Sequence, residues 1–183
     1  MKDDAARNQQ VVEEEILLQG FVDHRWIQPS DLVVSQWVRI KCMYGCPDYG
    51  KNLSCPPHVP SVVECRDFFG EYELAVLIHM VCDAPPDQTH EWVRLNQQKL
   101  LDLEKKVFLE GYERAFLLSF ESCNRCSGCP STVDGCRFPY TQRPSVEAFA
   151  VDMFSSVRKF GYTLNVKKHK GEKADRFALL LLK

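Results

Sequence analysis

Nine cysteines occur in 183 residues, and seven of them fall into two tight groups. The sharper group reads Cys123-x2-Cys126-x2-Cys129-x6-Cys136, and the other reads Cys42-x3-Cys46-x8-Cys55. In the second spelling Cys46 and Cys55 are each followed directly by proline. Thiols this close along a chain pair as disulfides, grip a metal or carry out redox chemistry. Whatever the fold, it must present two cysteine-rich loops.

Composition narrows the choice. With 45% apolar residues, a chain of this length forms one compact domain, 1–183, with a sizeable core. Residues 1–29 read as an N-terminal helical extension. A formal charge of −2 gives no field for capturing nucleic acid. No apolar run reaches the ~18 residues that span a bilayer, so no membrane association is expected. The start, Met1-Lys2-Asp3-Asp4, is acidic where a secretion signal would be basic and then apolar. The reading is therefore cytoplasmic, where thiols stay reduced. Together with the odd cysteine count, that sets disulfides behind metal binding.

Strand and helix signals alternate along most of the chain. Residues 9–19 read as a helix closed by Gly20, and 32–41 as a valine- and tryptophan-rich strand. The proline-rich stretch 42–60 reads as a loop. Ser61-Val62-Val63-Glu64 is a capping box opening a helix to about Phe69. A strand at 74–81 follows, then a long amphipathic helix over 86–110 with Trp92, Leu95, Leu103 and Val107 inward, then a strand at 115–120. The second cysteine loop fills 122–143, a helix spans 144–160, and strands near 162–167 and 176–182 flank a basic turn. This pattern predicts an α/β fold with a single sheet, covering helices and both cysteine loops at the carboxyl ends of strands, where open α/β sheets bind ligands.

Structural zinc usually sits between two Cys-x2-Cys knuckles a dozen or more residues apart. The 123–136 group instead stacks x2-spaced cysteines in one loop, the pattern of ferredoxin-like iron–sulfur loops. A [4Fe–4S] cluster on Cys123, Cys126, Cys129 and Cys136 is the expectation, with zinc as the alternative. Arg125, Arg137, Arg143 and the helix start at Pro144-Ser145 are positioned to offset the cluster's negative charge. Solvated loop charge is the plain explanation for any one of those arginines.

The first group supplies only three thiols, Cys42, Cys46 and Cys55. Cys65, His58 or Asp48 would complete a second site, or it would keep an open position able to bind substrate. Cys65 and Cys82 also read simply as core cysteines, and Tyr44 and Tyr49 as loop packing. The basic run Lys167-Lys168-His169-Lys170, with Lys173 and Arg176, reads as a solvated hairpin end, with phosphate binding the sharper alternative.

Lys41-Cys42-x3-Cys46-Pro47-x-Tyr49-Gly50-x4-Cys55-Pro56-Pro57, the second cysteine run with Arg137-x-Pro139, and Arg143-Pro144-Ser145-x-Glu147-Ala148 occur in that order. From about residue 30 onward the chain resembles the predicted metal-binding proteins of domain-of-unknown-function family 2284, common in anaerobic bacteria and archaea. The resemblance implies metal binding at the seven grouped cysteines and no particular reaction. Two departures stand out: Ala150-Val151-Asp152 replaces a usual glycine-isoleucine-aspartate stretch, and Cys65 and Cys82 lie outside the shared pattern.

The resulting expectation is a small iron–sulfur protein that passes electrons to a redox partner protein. Its rivals are an enzyme using an open iron on the three-cysteine group, and a zinc-stabilised interaction module. No nucleophilic triad, phosphate loop or dinucleotide fingerprint supports an ordinary hydrolase or dehydrogenase.

Overall fold

The computed structural model describes residues 2–130, 132–169 and 171–183. Its sheet has four strands: β1 (Asp23–Ile27), β2 (Ala75–Cys82), β3 (Phe116–Leu118) and β4 (Ala174–Leu181). They lie in the order β1-β2-β4-β3, and every neighbouring pair is antiparallel. The helices are α1 (Lys2–Leu18), α2 (Gln36–Gly45), α3 (Val62–Gly70), α4 (Thr89–Leu109) and α5 (Met153–Lys159).

Side chains alternate across the pleat, so each strand feeds two cores. On one face Leu77, Leu118, Leu179 and Leu181 meet Cys65 and Phe69 of α3 and Val157 of α5. On the other, Val76, Ile78, Leu117 and Leu180 meet Val12 and Ile16 of α1 and Leu100, Leu103 and Val107 of α4. Because β2 and β4 are covered on both faces, their sequences read as near-continuous apolar runs rather than as alternation.

Several expected elements hold. Ser61 Oγ accepts from the Glu64 amide and Glu64 accepts from the Ser61 amide at 2.7 Å, so the capping box opens α3 as its spelling predicts. Leu103 and Val107 face inward on α4, whereas Leu95 is half exposed. The periodic set is instead Val93, Gln97, Leu100, Glu104 and Val107, spaced three and four residues apart.

Others do not hold. The predicted strand 32–41 is absent, and its second half forms helix α2, with Ser35 at the N-cap. The alternation there misleads because Val38 is the one buried residue of α2, so no sheet face is being patterned. The N-terminal segment read as helical also contains β1, a polar edge strand whose exposed residues hide the signal. The 144–160 helix is broken into a 3-10 turn (Glu147–Phe149), a left-handed Ala150 (φ 60°) and α5. Asp152 starts α5 by accepting from the Ser155 amide at 3.1 Å, a cap that ends the preceding segment. Residues 162–167 form no strand to pair with β4, and Lys170 of the expected basic turn lies outside the described residues.

The sheet is antiparallel, so the ligand rule for carboxyl edges of parallel sheets does not govern it. Cys42 lies in the last turn of α2 rather than after a strand. Cys123 does follow a strand, β3, at a remove of a few residues.

Candidate metal centre

The second cysteine group is anchored from three sides. On α4, buried Gln97 donates to Ser119 Oγ and Glu121 O, both at 3.2 Å, and to Ser122 O at 2.9 Å, fixing where the chain leaves β3. At the far end of the loop, Pro144 O accepts from the Ser119 amide at 2.8 Å and the Val146 amide donates to Ser119 O at 3.0 Å. The loop therefore leaves and re-enters the fold at one point. Arg143 seals that point against α4, with Nε 2.9 Å and Nη2 2.9 Å from Glu104 Oε2.

The third anchor is the first cysteine loop itself. Asn52 forms an Asx turn, its Oδ1 accepting from the Ser54 amide at 2.9 Å, and its Nδ2 donates to Cys123 O at 2.8 Å. The Cys123 amide donates back to Ser54 Oγ at 3.1 Å. Next to them the Leu53 amide donates to Cys129 Sγ at 3.4 Å. Leu53 and Ser54 are both buried, so this clamp is shielded from water. The two groups form one unit: Ser54 precedes Cys55 and is bonded to Cys123.

Cys123, Cys126, Cys129 and Cys136 all line one cavity of about 300 Å³, together with Asn52 and Arg125. Arg125 is turned to Gln98 Oε1 at 2.7 Å and lies over the Phe138 ring at 5.2 Å. Burial pushes the Cys123 thiol up, and the neighbouring Cys126, Cys129 and Cys136 push the same way against a backbone N–H from Arg125.

In the first group Cys42 and Cys46 are linked through the Cys46 amide, which donates to Cys42 O at 3.3 Å across the helix end. Arg39 positions that helix by donating to Pro60 O at 3.0 Å and Ala148 O at 2.9 Å. Burial, then the charges of Cys42 and Cys46, push the Cys55 thiol up to about 11, against hydrogen bonds with Ser54 and Ser122. Burial also raises Cys42, with Cys46 and Glu147 adding to it and Arg39 opposing. Thiols raised in this way hold their protons until a cation displaces them.

All nine cysteines are free thiols, so no disulfide forms. Among the described residues, no three His, Cys, Asp or Glu side chains converge on one point closely enough to hold a single ion.

The remaining candidates are placed as follows. Cys65 is fully buried in the core, its thiol 3.6 Å from Pro60 O, and Cys82 is buried at the end of β2. His58 is exposed, and Asp48 pairs with Lys51 at 3.7 Å on the wall of the second group's cavity. Arg137 is exposed. Ser145 is buried and accepts from the Ala148 amide at 3.1 Å, capping the 3-10 turn. Asn52, Gln97 and Glu104 went unread in the sequence. Only Asn52 carried a signal, the Asn-x-Ser spelling of an Asx turn.

A family profile described as a predicted metal-binding protein matches residues 25–182. The chain belongs to the DUF2284 family. No curated protein and no solved structure matches the chain. The matched span of this DUF2284 protein contains all seven grouped cysteines and the segments 52–54 and 143–148 that clamp them. None of its helices among the described residues is long and apolar enough to cross a membrane.

A larger cavity, of about 610 Å³, lies beside the first group. Cys42 and Cys46 stand on its wall with Trp37, Phe154, Phe177 and Arg176. Glu147 also lines it, its carboxyl pushed up by burial.

Proposed function

We propose that this chain is an iron–sulfur protein, with one [4Fe–4S] cluster held by Cys123, Cys126, Cys129 and Cys136 and a second by Cys42, Cys46 and Cys55. It passes electrons to a redox partner protein. The observation that carries this reading is the Leu53 amide aimed at Cys129 Sγ at 3.4 Å, beside a cavity lined by all four thiols of its loop. Hydrogen bonds from backbone amides to cluster sulfurs stabilise the reduced, more negative state and set the potential. When bound, such a cluster supplies one-electron chemistry. The chain's own residues shield it, with Leu53 and Ser54 buried between the groups, and hold the two loops at fixed separation through Asn52 and Ser54.

A second reading gives the first group an open position. Only three cysteines gather there, and two of them face the larger cavity. That arrangement favours an enzyme in which an open iron meets substrate.

Anaerobic purification with iron, sulfide and zinc analysis separates these readings from a zinc module. A brown protein holding iron and acid-labile sulfide supports the cluster. A colourless protein with stoichiometric zinc and no sulfide overturns it.

A further inference from the structure

The larger cavity has features that metal binding does not use. Its volume, about 610 Å³, falls within the range of small-molecule sites. Trp37, Phe120, Phe154 and Phe177 give it an aromatic lining. It opens where β3 stops: β3 pairs with Leu179–Leu181, so among the described residues no strand flanks the Ala174–Phe177 half of β4 on that side.

Its charges are unevenly committed. Asp175 is taken by His79 Nε2 at 2.9 Å, and Asp152 caps α5. Among the described residues no carboxylate pairs with Lys41 or Lys167 on the rim. Arg176 pairs loosely with Glu121 at 3.9 Å and Glu147 on the same wall also bears on it electrostatically, but its Nε is buried with no hydrogen-bond partner. A buried guanidinium N–H left unpaired is costly, and a planar fork of donors fits a carboxylate in two-point fashion.

We propose that this cavity binds a small aromatic carboxylate, its ring against the aromatic lining and its carboxylate on Arg176, with Lys41 and Lys167 adding long-range attraction. The site stands on the cavity and on Arg176. It does not depend on the cluster reading.

Isothermal titration of the anaerobically purified full chain with 1-naphthoate tests this, with neutral 1-naphthalenemethanol as the control. Saturable one-to-one binding is expected, about tenfold or more tighter than the neutral analogue. Arg176→Lys keeps the charge but not the fork and should weaken naphthoate about tenfold. Leu164→Trp, which fills the cavity from a partly buried wall position outside the sheet, should abolish binding whether or not the Arg176 variant folds. No saturable binding, equal affinity for both compounds, or naphthoate binding untouched by Leu164→Trp would overturn the proposal. Iron measured on the same sample keeps the two readings apart: naphthoate binding to iron-free protein sinks the cluster alone, and iron-loaded protein that ignores naphthoate sinks the cavity assignment alone.

Discussion

Leu53 and Cys129 belong to different cysteine loops, yet the amide of one donates to the sulfur of the other at 3.4 Å. That single bond, with Asn52 and Ser54 on Cys123, joins two loops far apart in sequence into one structural unit. The following outcomes are expected of it.

Asn52→Ala deletes both the Asx turn and the bond to Cys123 O while leaving every thiol in place. Outer-shell losses of this kind typically cost about tenfold to a hundredfold in metal affinity. Competition with a chelator would read this directly, and wild-type retention of metal would show that the clamp is unrelated to binding.

Cys126→Ser and Cys65→Ser should separate ligand from core. Cys126 lines the 300 Å³ cavity, whereas Cys65 is fully buried among apolar side chains. The first change should remove metal with little effect on folding. The second should keep metal and cost about 1 kcal/mol, since Pro60 O beside the thiol can accept from the buried hydroxyl. Metal content and denaturant melts of both variants check the pair.

Glu104→Ala breaks a nearly buried ion pair, since Glu104 and Arg143 side chains are 8% and 22% exposed. It also strips the Leu117 amide of its acceptor at 2.9 Å. A loss of about 3 kcal/mol is expected, together with faster proteolysis between Cys123 and Arg143. Arg143 closes that loop, so a destabilised core with an unchanged loop would contradict the anchoring role.

The three-strand cluster around His79 should give the fold a pH signature. His79 bridges Asp23 at 2.6 Å and Asp175 at 2.9 Å, and Tyr162 donates to Asp23 at 2.7 Å. Burial pushes the Asp23 carboxyl up, but hydrogen bonds from Tyr162 and His79 outweigh it and hold the group below its usual value. A lowered folded value means stability that is present above the unfolded pKa, about 3.9, and is lost as pH falls through the folded one. Tyr162 is the opposite case, pushed up to about 12 by burial and then by Asp23. Its contribution is intact below the unfolded pKa of about 10 and disappears as pH rises through 12. The stability gap between wild type and Asp23→Asn should therefore close below about pH 4. A gap that persists there would exclude the linkage.

Sequence legibility followed the physics of each segment. The cap at Ser61, the buried run of β2 and the thiol spacing of the 123–136 loop are local signals, and each could be read. α2 and β1 could not, because neither buries a patterned face: Val38 is the lone buried residue of one, and β1 is an edge strand. The break at Ala150 was readable in principle from Asp152 as an N-cap, but the Pro144 start masked it. The cysteine groups stand out by their spacing alone, while Gln97 and Glu104 looked like ordinary polar positions of an amphipathic helix. Their burial comes from a loop contributed elsewhere in the chain, and no local pattern encodes that.

The most direct trial is iron and acid-labile sulfide analysis of anaerobically isolated wild type beside Cys126→Ser and Cys46→Ser. About four iron and four sulfide per cluster are expected in the wild type, with each variant losing one cluster's share while the other persists. Stoichiometric zinc without sulfide, or iron undiminished in Cys126→Ser, would contradict the assignment of these thiols to a cluster.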